Sequence, residues 1–197
     1  MTTIAELWQA IENQYAAQGA LHLLKPGASA QALDALEAQI GQPLPADLRE
    51  SLLRHDGSTD SGWVHGELLS VAGMMRERAI WIELLESGTF ADLAQFNADE
   101  PAVQPGWWHP GWLPLDADGG GNGAFVDLAP GRAGQVGQVR DMDHEVGPGA
   151  EAHSLAAYLQ RVLQVLESGE YRYYRHAEDD FEGMCTADEI ADFEDED

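Results

Sequence analysis

The chain has 197 residues, 44% of them hydrophobic, and a formal net charge of −25 from 35 acidic against 10 basic residues. A chain of that length buries about 70% of its unfolded surface and can fold without a disulfide or structural metal; with Cys185 as the only cysteine, no intramolecular disulfide forms. The negative field repels nucleic acid and anionic membranes and speeds encounter with basic proteins.

Thr2 to Tyr15 reads as a helix: Thr2 or Thr3 can cap it, and Ile4, Leu7, Trp8, Ile11 and Tyr15 share one face at helical spacing. A KPGAS turn follows Leu23 and Leu24. Ser29 then caps a second helix carrying Leu33, Leu36, Glu37 and Ile40, with Gly41 as its stop. Pro45 suits the first turn of a third helix, whose stripe is Leu48, Leu52 and Leu53, and His55-Asp56-Gly57 turns the chain. Gly66 to Val71 is a candidate strand. Ala72 to Leu85 is a helix with Met75, Ala79, Ile80, Trp81 and Leu84 near helical spacing. Phe90 to Gly106 is a loop or weak helix broken by its prolines and glycine.

Residues 107–141 are the centre of the reading. Trp112–Leu115, Ala124–Leu128 and Gln135–Arg140 are three short strands, separated by DADGGGNG and APGRAG, which suit tight reversals and no helix. They form an antiparallel meander on which the helices pack. His144 to Ala152 reads as a loop. Ser154 caps a helix with Leu155, Tyr158, Leu159, Val162, Leu163 and Leu166 inward and Gly169 as its stop. The expected fold class is therefore α+β, a single mixed or antiparallel sheet with helices packed on it, in one domain over residues 1–175. Residues 176–197 follow as an acidic tail in which Asp188 to Phe193 can form a short helix and the end is expected to be mobile. Residues 177–197 hold 11 of the acidic residues and no basic one; the remainder, 24 acidic against 10 basic, still carries −14. Solubility or a salt-adapted host is the plain alternative reading of that acidity. The N-terminus lacks the basic and apolar regions of a signal peptide, and no apolar run approaches the roughly 20 residues of a membrane span, so a cytoplasmic protein is expected.

Several blocks, in this order, resemble the Smi/Knr cell-wall assembly regulator family, the SUKH superfamily. They are LKPGASAQALDALEAQIGQPLPADLRESLLRHDGS (24–58), GELLSV (66–71), GWLPLDADGGGNGAFVDLAPG (111–131), GQVGQV (134–139) and SLAAYLQRVLQVLESGEY (154–171). The resemblance covers residues 1–171 and leaves the acidic end outside. It implies an α+β binding module with no general catalytic machinery, similar in bacteria to immunity proteins that neutralise toxins and in fungi to regulators of cell-wall synthesis. It supplies no catalytic residues.

Catalytic and metal constellations read weakly. Asp116, Asp118, Gly121 and Asp127 fall at positions 1, 3, 6 and 12 of a calcium-loop window, but Gly120 and Gly123 break the pattern and the flanks are strands; the alternative is a turn whose carboxylates bond local amides. GGGNG lacks the Lys-Ser/Thr and the helix of a phosphate cradle. The seven histidines show no metal-helix spacing, there is no GxSxG elbow, and Cys185 sits among acids that blunt a thiol. No cofactor, metal or catalytic residue is expected. The Trp107, Trp108, Trp112 cluster is either core packing or, through Trp108, an exposed anchor. The candidate partner-binding set is Asp56, Asp60, Trp108, Asp116, Asp118, Asp141, Asp143 and Glu145, a loop-borne acidic rim with one aromatic. The expected partner is a protein, a basic toxin domain first and a regulatory partner second, and not a nucleic acid or membrane.

Overall fold

Thr3 opens the chain's first helix through a capping box: its hydroxyl accepts from the Glu6 N–H (3.2 Å) while the Glu6 carboxylate accepts from the Thr3 N–H (2.8 Å). The computed structural model describes residues 2–176 and 179–195. In it α1 (Ile4–Ala17) buries the five residues that the spacing selects, Ile4, Leu7, Trp8, Ile11 and Tyr15. The Ser29 hydroxyl caps α2 (Ala30–Ile40), which ends at Gly41 in the left-handed conformation (φ 77°), where glycine lacks the Cβ that would clash. α3 (Ala46–Arg54) follows Pro45. It buries Leu48, Ser51 and Leu52, while Leu53, expected in the stripe, is 47% exposed. The Trp8 indole N–H donates to the buried Ser51 hydroxyl (2.8 Å), fixing α1 against α3.

The candidate strand at 66–71 contracts to β1 (Glu67–Leu68), because Ser70 is claimed as the N-cap of α4 (Val71–Glu86). α4 buries Gly73, Met74 and Trp81; of the expected stripe Trp81 is buried, Met75 and Leu84 are half-buried against the cores, and Ala79 and Ile80 face solvent. Beyond an irregular segment come β2 (Trp112–Pro114), β3 (Asp116–Ala117), β4 (Gly123–Asp127), β5 (Gln138–Asp143) and β6 (Gly147–Ala152). β2, β4, β5 and β6 make a four-stranded antiparallel sheet in that order, and β1 pairs with β3 as a short ribbon beside it. The meander is thus present, with its third strand three residues later than expected. Of the expected loop at 144–152, residues 144–146 are a turn and Gly147–Ala152 is a fourth strand. Pro148 is tolerated there because β6 is a sheet edge, and a register shift at Val139/Arg140 accommodates the irregular sequence.

α5 (Leu155–Ser168), capped by the Ser154 hydroxyl, buries the six predicted residues. The acidic end, read as a tail, folds in its described part. β7 (Arg172–His176) and β8 (Phe181–Cys185) form an antiparallel hairpin, and α6 (Ala187–Asp195) follows it. What organises it is aromatic: Phe193 of α6 stacks on Tyr174 (5.6 Å between centroids) and His176 (5.7 Å) and meets Phe181 at a tilt (4.8 Å).

Side chains alternate across the sheet. Leu113, Ala124, Val126 and Val139 enter the main core with α1, α3 and α5, while Trp112, Phe125 and Met142 enter a second, aromatic core with Trp81, Val103, Trp107 and Trp108. No described helix is long and apolar enough to cross a membrane.

Candidate functional site

The strand ends of β3, β4 and β5, the C-terminal half of α5 and the β7–β8 hairpin with α6 surround an open cleft of about 820 Å³. The hairpin is seated by backbone contact. The Met184 N–H donates to the Ser61 carbonyl (2.8 Å), and a Cβ on Gly183 would lie only 2.6 Å from that oxygen, so no larger residue fits. Gly66 plays the same part on the other side, where a Cβ would meet the Ala117 carbonyl at 2.4 Å.

At the floor is Asp116, only 5% exposed. One carboxylate oxygen accepts from the Ala124 N–H (2.5 Å); the other accepts from the Tyr158 hydroxyl, which itself accepts from the Trp63 indole N–H (2.9 Å). A buried carboxylate is tolerable when donors satisfy it in this way. Above it the turns carry exposed carboxylates. Burial raises the Asp118 carboxyl, but N–H donors from Asn122 (2.9 Å) and Gly120 (2.7 Å) outweigh that and hold it below the usual range. The N–H groups of Glu145 (2.8 Å) and Val146 (2.9 Å) hold Asp143 low as well. Asn122 ties the two turns together: its side-chain oxygen accepts from the His144 backbone N–H (3.0 Å) and lies 2.8 Å from His144 Nδ1.

The opposite wall carries the apolar Val162 and Val165 with Arg161 on α5, and Met184, Cys185, Glu189 and Phe193 from the hairpin and α6. Burial and the nearby Glu189 push the Cys185 thiol up to about 11, leaving it protonated and unreactive at neutral pH. Burial, with Glu189 and Glu170, raises the Tyr171 hydroxyl, which lies 2.8 Å from His65 Nδ1.

Four of the eight predicted residues, Asp116, Asp118, Asp141 and Asp143, line this one cleft. The other four do not. The Asp56 carboxylate accepts from the Val71 N–H (2.6 Å), supporting the start of α4. Asp60 and Glu145 are exposed outside the cleft lining. Trp108 is no exposed anchor: it is 3% exposed and stacked on Trp81 (centroids 4.7 Å apart, planes 15°), because α4 and the segment before β2 close over it. The calcium-like spacing is also spent locally, Asp127 accepting from the Ala129 N–H (2.9 Å) and Gln138 Nε2 (2.8 Å). Among the described residues no group of three His, Cys, Asp or Glu side chains is placed to hold a metal ion.

Tyr158, His65, Tyr171 and the hairpin residues were missed as cleft-forming. Tyr158 alone left a trace in the sequence, a hydroxyl within an aliphatic stripe that must find a partner when buried.

Residues 27–161 match the SMI1 / KNR4 family (SUKH-1). The chain is 34% identical over 190 residues to the cell wall biosynthesis/cell cycle regulator smi1 of Schizosaccharomyces pombe, covering 85% of this chain and 37% of that protein. It is 32% identical over 189 residues to a glucan synthesis regulatory protein of Neurospora crassa, covering 75% of this chain and 35% of that one. A shorter match, 36% over 86 residues, joins it to the cell wall assembly regulator SMI1 of Saccharomyces cerevisiae, covering 42% of this chain and 16% of the relative. The chain therefore spans about a third of the length of the first two relatives.

Proposed function

This chain belongs to the SMI1/KNR4 family, and from that premise we propose that it is a non-catalytic, cytoplasmic binding module that regulates cell-wall assembly by holding a protein partner at the cleft. The observation that carries this is the likeness to fungal cell-wall and glucan-synthesis regulators over 75–85% of the chain. The cleft supports it. Its carboxylates Asp116, Asp118 and Asp143 are fixed by backbone and hydroxyl donors, which makes a rigid, preorganised surface.

The test is a chimera in which this chain replaces the matching region of the Schizosaccharomyces pombe regulator, expressed in cells deleted for that regulator and challenged with wall-digesting enzyme. Restored resistance is expected. A chimera that accumulates normally while the cells stay as sensitive as the deletion strain overturns the regulatory role.

A second reading is favoured by one observation, the net charge of −25. An immunity protein for a basic toxin, for instance a nuclease, would present carboxylates where phosphates would go and be captured quickly by complementary charge. A pull-down from the native cell, washed at low salt and at 0.5 M salt, separates the two. A basic toxin domain retained in high salt supports immunity; a housekeeping partner in cells that do express the toxin rejects it.

A further inference from the structure

Resting on the reading of this chain as a protein-binding module, we propose that the cleft takes a short basic segment of the partner, a lysine or arginine set among aliphatic residues. Two chemistries meet in one concavity. The sheet side presents Asp118, Asp141 and Asp143 at the ends of β3 and β5, and the far side presents the half-buried Val165, Phe181 and Phe193 over the buried Val162 and Met184. A lysine or arginine side chain matches both, laying its methylene stem on apolar surface while its head reaches a carboxylate. The cleft also holds an acceptor in want of a donor: Asp141 Oδ1 is buried and has no hydrogen-bond partner among the described residues. Buried polar atoms are ordinarily paired, so the Asp141 carboxylate keeps acceptor capacity that no described residue uses.

The basic groups of the lining are Arg161 and His65, and neither belongs to the sheet-side rim. The lining therefore has a polarity: Asp116, Asp118, Asp141 and Asp143 come from the strands and their turns, while Arg161 comes from α5, with Glu189 of α6 on that same side. A segment whose basic residue faces the sheet avoids like charge. An anionic small molecule or a nucleic-acid strand would meet five carboxylates, Asp116, Asp118, Asp141, Asp143 and Glu189. A volume of about 820 Å³ exceeds what a single side chain fills and lies within the roughly 300–1,000 Å³ of ligand-binding clefts.

The experiment uses the full chain and four fluorescein-labelled octapeptides, read by fluorescence anisotropy. One carries two lysines among leucines and valines. In the others the lysines become glutamines, or glutamates, or the aliphatic residues become serines. The lysine–aliphatic peptide is expected to bind roughly tenfold or more tightly than each of the others, the ratio that losing one charged hydrogen bond produces. The triple variant Asp118→Asn, Asp141→Asn, Asp143→Asn keeps acceptor oxygens for the turn amides and should weaken it to a similar degree. Val165→Trp, which fills the apolar wall, should do the same, with a thermal melt confirming that each variant is folded. Equal binding of the glutamate peptide, indifference to both folded variants, or complete displacement by spermidine at equal concentration overturns the proposal; the last would make the ligand a small polyamine. Failure here beside a chimera that restores wall resistance leaves the regulatory module standing and moves its partner to another surface.

Discussion

The two faces of the four-stranded sheet are closed by different material. On one, α1, α3 and α5 bring aliphatic stripes at regular helical spacing onto Leu113, Ala124, Val126 and Val139. On the other, α4 and the irregular residues 87–110 lay stacked rings over Trp112, Phe125 and Met142. The indoles differ as well. On the helical face the Trp8 and Trp63 N–H groups donate to Ser51 and Tyr158 (2.8 and 2.9 Å), whereas the buried Nε1 atoms of Trp108 and Trp112 have no partner among the described residues. The helical face thus ties its indoles to other elements by hydrogen bonds, while on the aromatic face Trp108 and Trp112 rely on ring contact and Trp81 donates within its own helix, to Glu77 (2.9 Å). One strand pattern supports both, since alternation assigns residues to faces without specifying what covers them.

The largest expected effect probes whether the two faces form one cooperative core. Trp112→Ala removes a fully buried ring that stacks on Phe125 (4.4 Å) and meets Trp108 edge-on (5.4 Å), and should cost about 3–5 kcal/mol. Leu159→Ala on the helical face should cost about 2–5 kcal/mol. Urea unfolding followed by far-UV and near-UV circular dichroism should give one shared transition for each variant. A separate early loss of the near-UV signal in Trp112→Ala would show instead that the aromatic face melts on its own.

The same contrast explains what could be read from the sequence. α1, α2 and α5, with their caps and stops, were legible because burial of one helical face imposes a period and because Thr3, Ser29, Ser154, Gly41 and Gly169 mark the ends. The meander was legible from its turns. β6 was not, since GPGAEA has neither alternation nor β-branched residues and owes its pairing to β5 alone. The hairpin β7–β8 was hidden by acidic residues whose solvated faces mask a few anchors, Met184, Cys185 and Phe193. For the candidate site, four of the carboxylates read from the sequence, Asp116, Asp118, Asp141 and Asp143, line the one cleft. Trp108 misled because an aromatic cluster near turns looks the same whether α4 covers it or solvent does.

A smaller effect tests the polar link that distinguishes the helical face. Tyr158→Phe removes the hydroxyl that receives the Trp63 N–H and donates to Asp116. It leaves the fully buried Trp63 without that acceptor and should cost about 1–3 kcal/mol, measured as a shift of the urea midpoint at constant slope. A loss below a few tenths would mean that the indole bonds add nothing to the helical face and that the two faces differ in shape alone.

The smallest expected effect concerns pH, and it sets the two faces apart again. α1 is tied to α3 by an ion pair, Glu12 accepting from Arg54 Nε and Nη2 (2.6 Å each) and from His55 Nε2 (2.8 Å). α4 is tied to the segment before β2 by Arg78, whose Nε (3.2 Å) and Nη2 (2.7 Å) donate to the Pro110 carbonyl. A carbonyl does not titrate near neutrality, whereas Glu12 does so below its ordinary 4.5, held down chiefly by the Arg54 hydrogen bonds against the opposing effect of burial, with help from His55. A depressed carboxyl contributes stability that is present above its unfolded value and is lost as pH falls through the folded one. Arg54 is 42% exposed, so solvent screens the pair and Glu12→Gln should cost no more than about 1 kcal/mol at neutral pH. The gap between wild type and Glu12→Gln should close as pH drops below 4.5, while the gap between wild type and Arg78→Ala should hold steady across the same range. Urea midpoints at a series of pH values measure both gaps, and a Glu12→Gln gap that persists in acid would show that the variant disturbs packing and not charge.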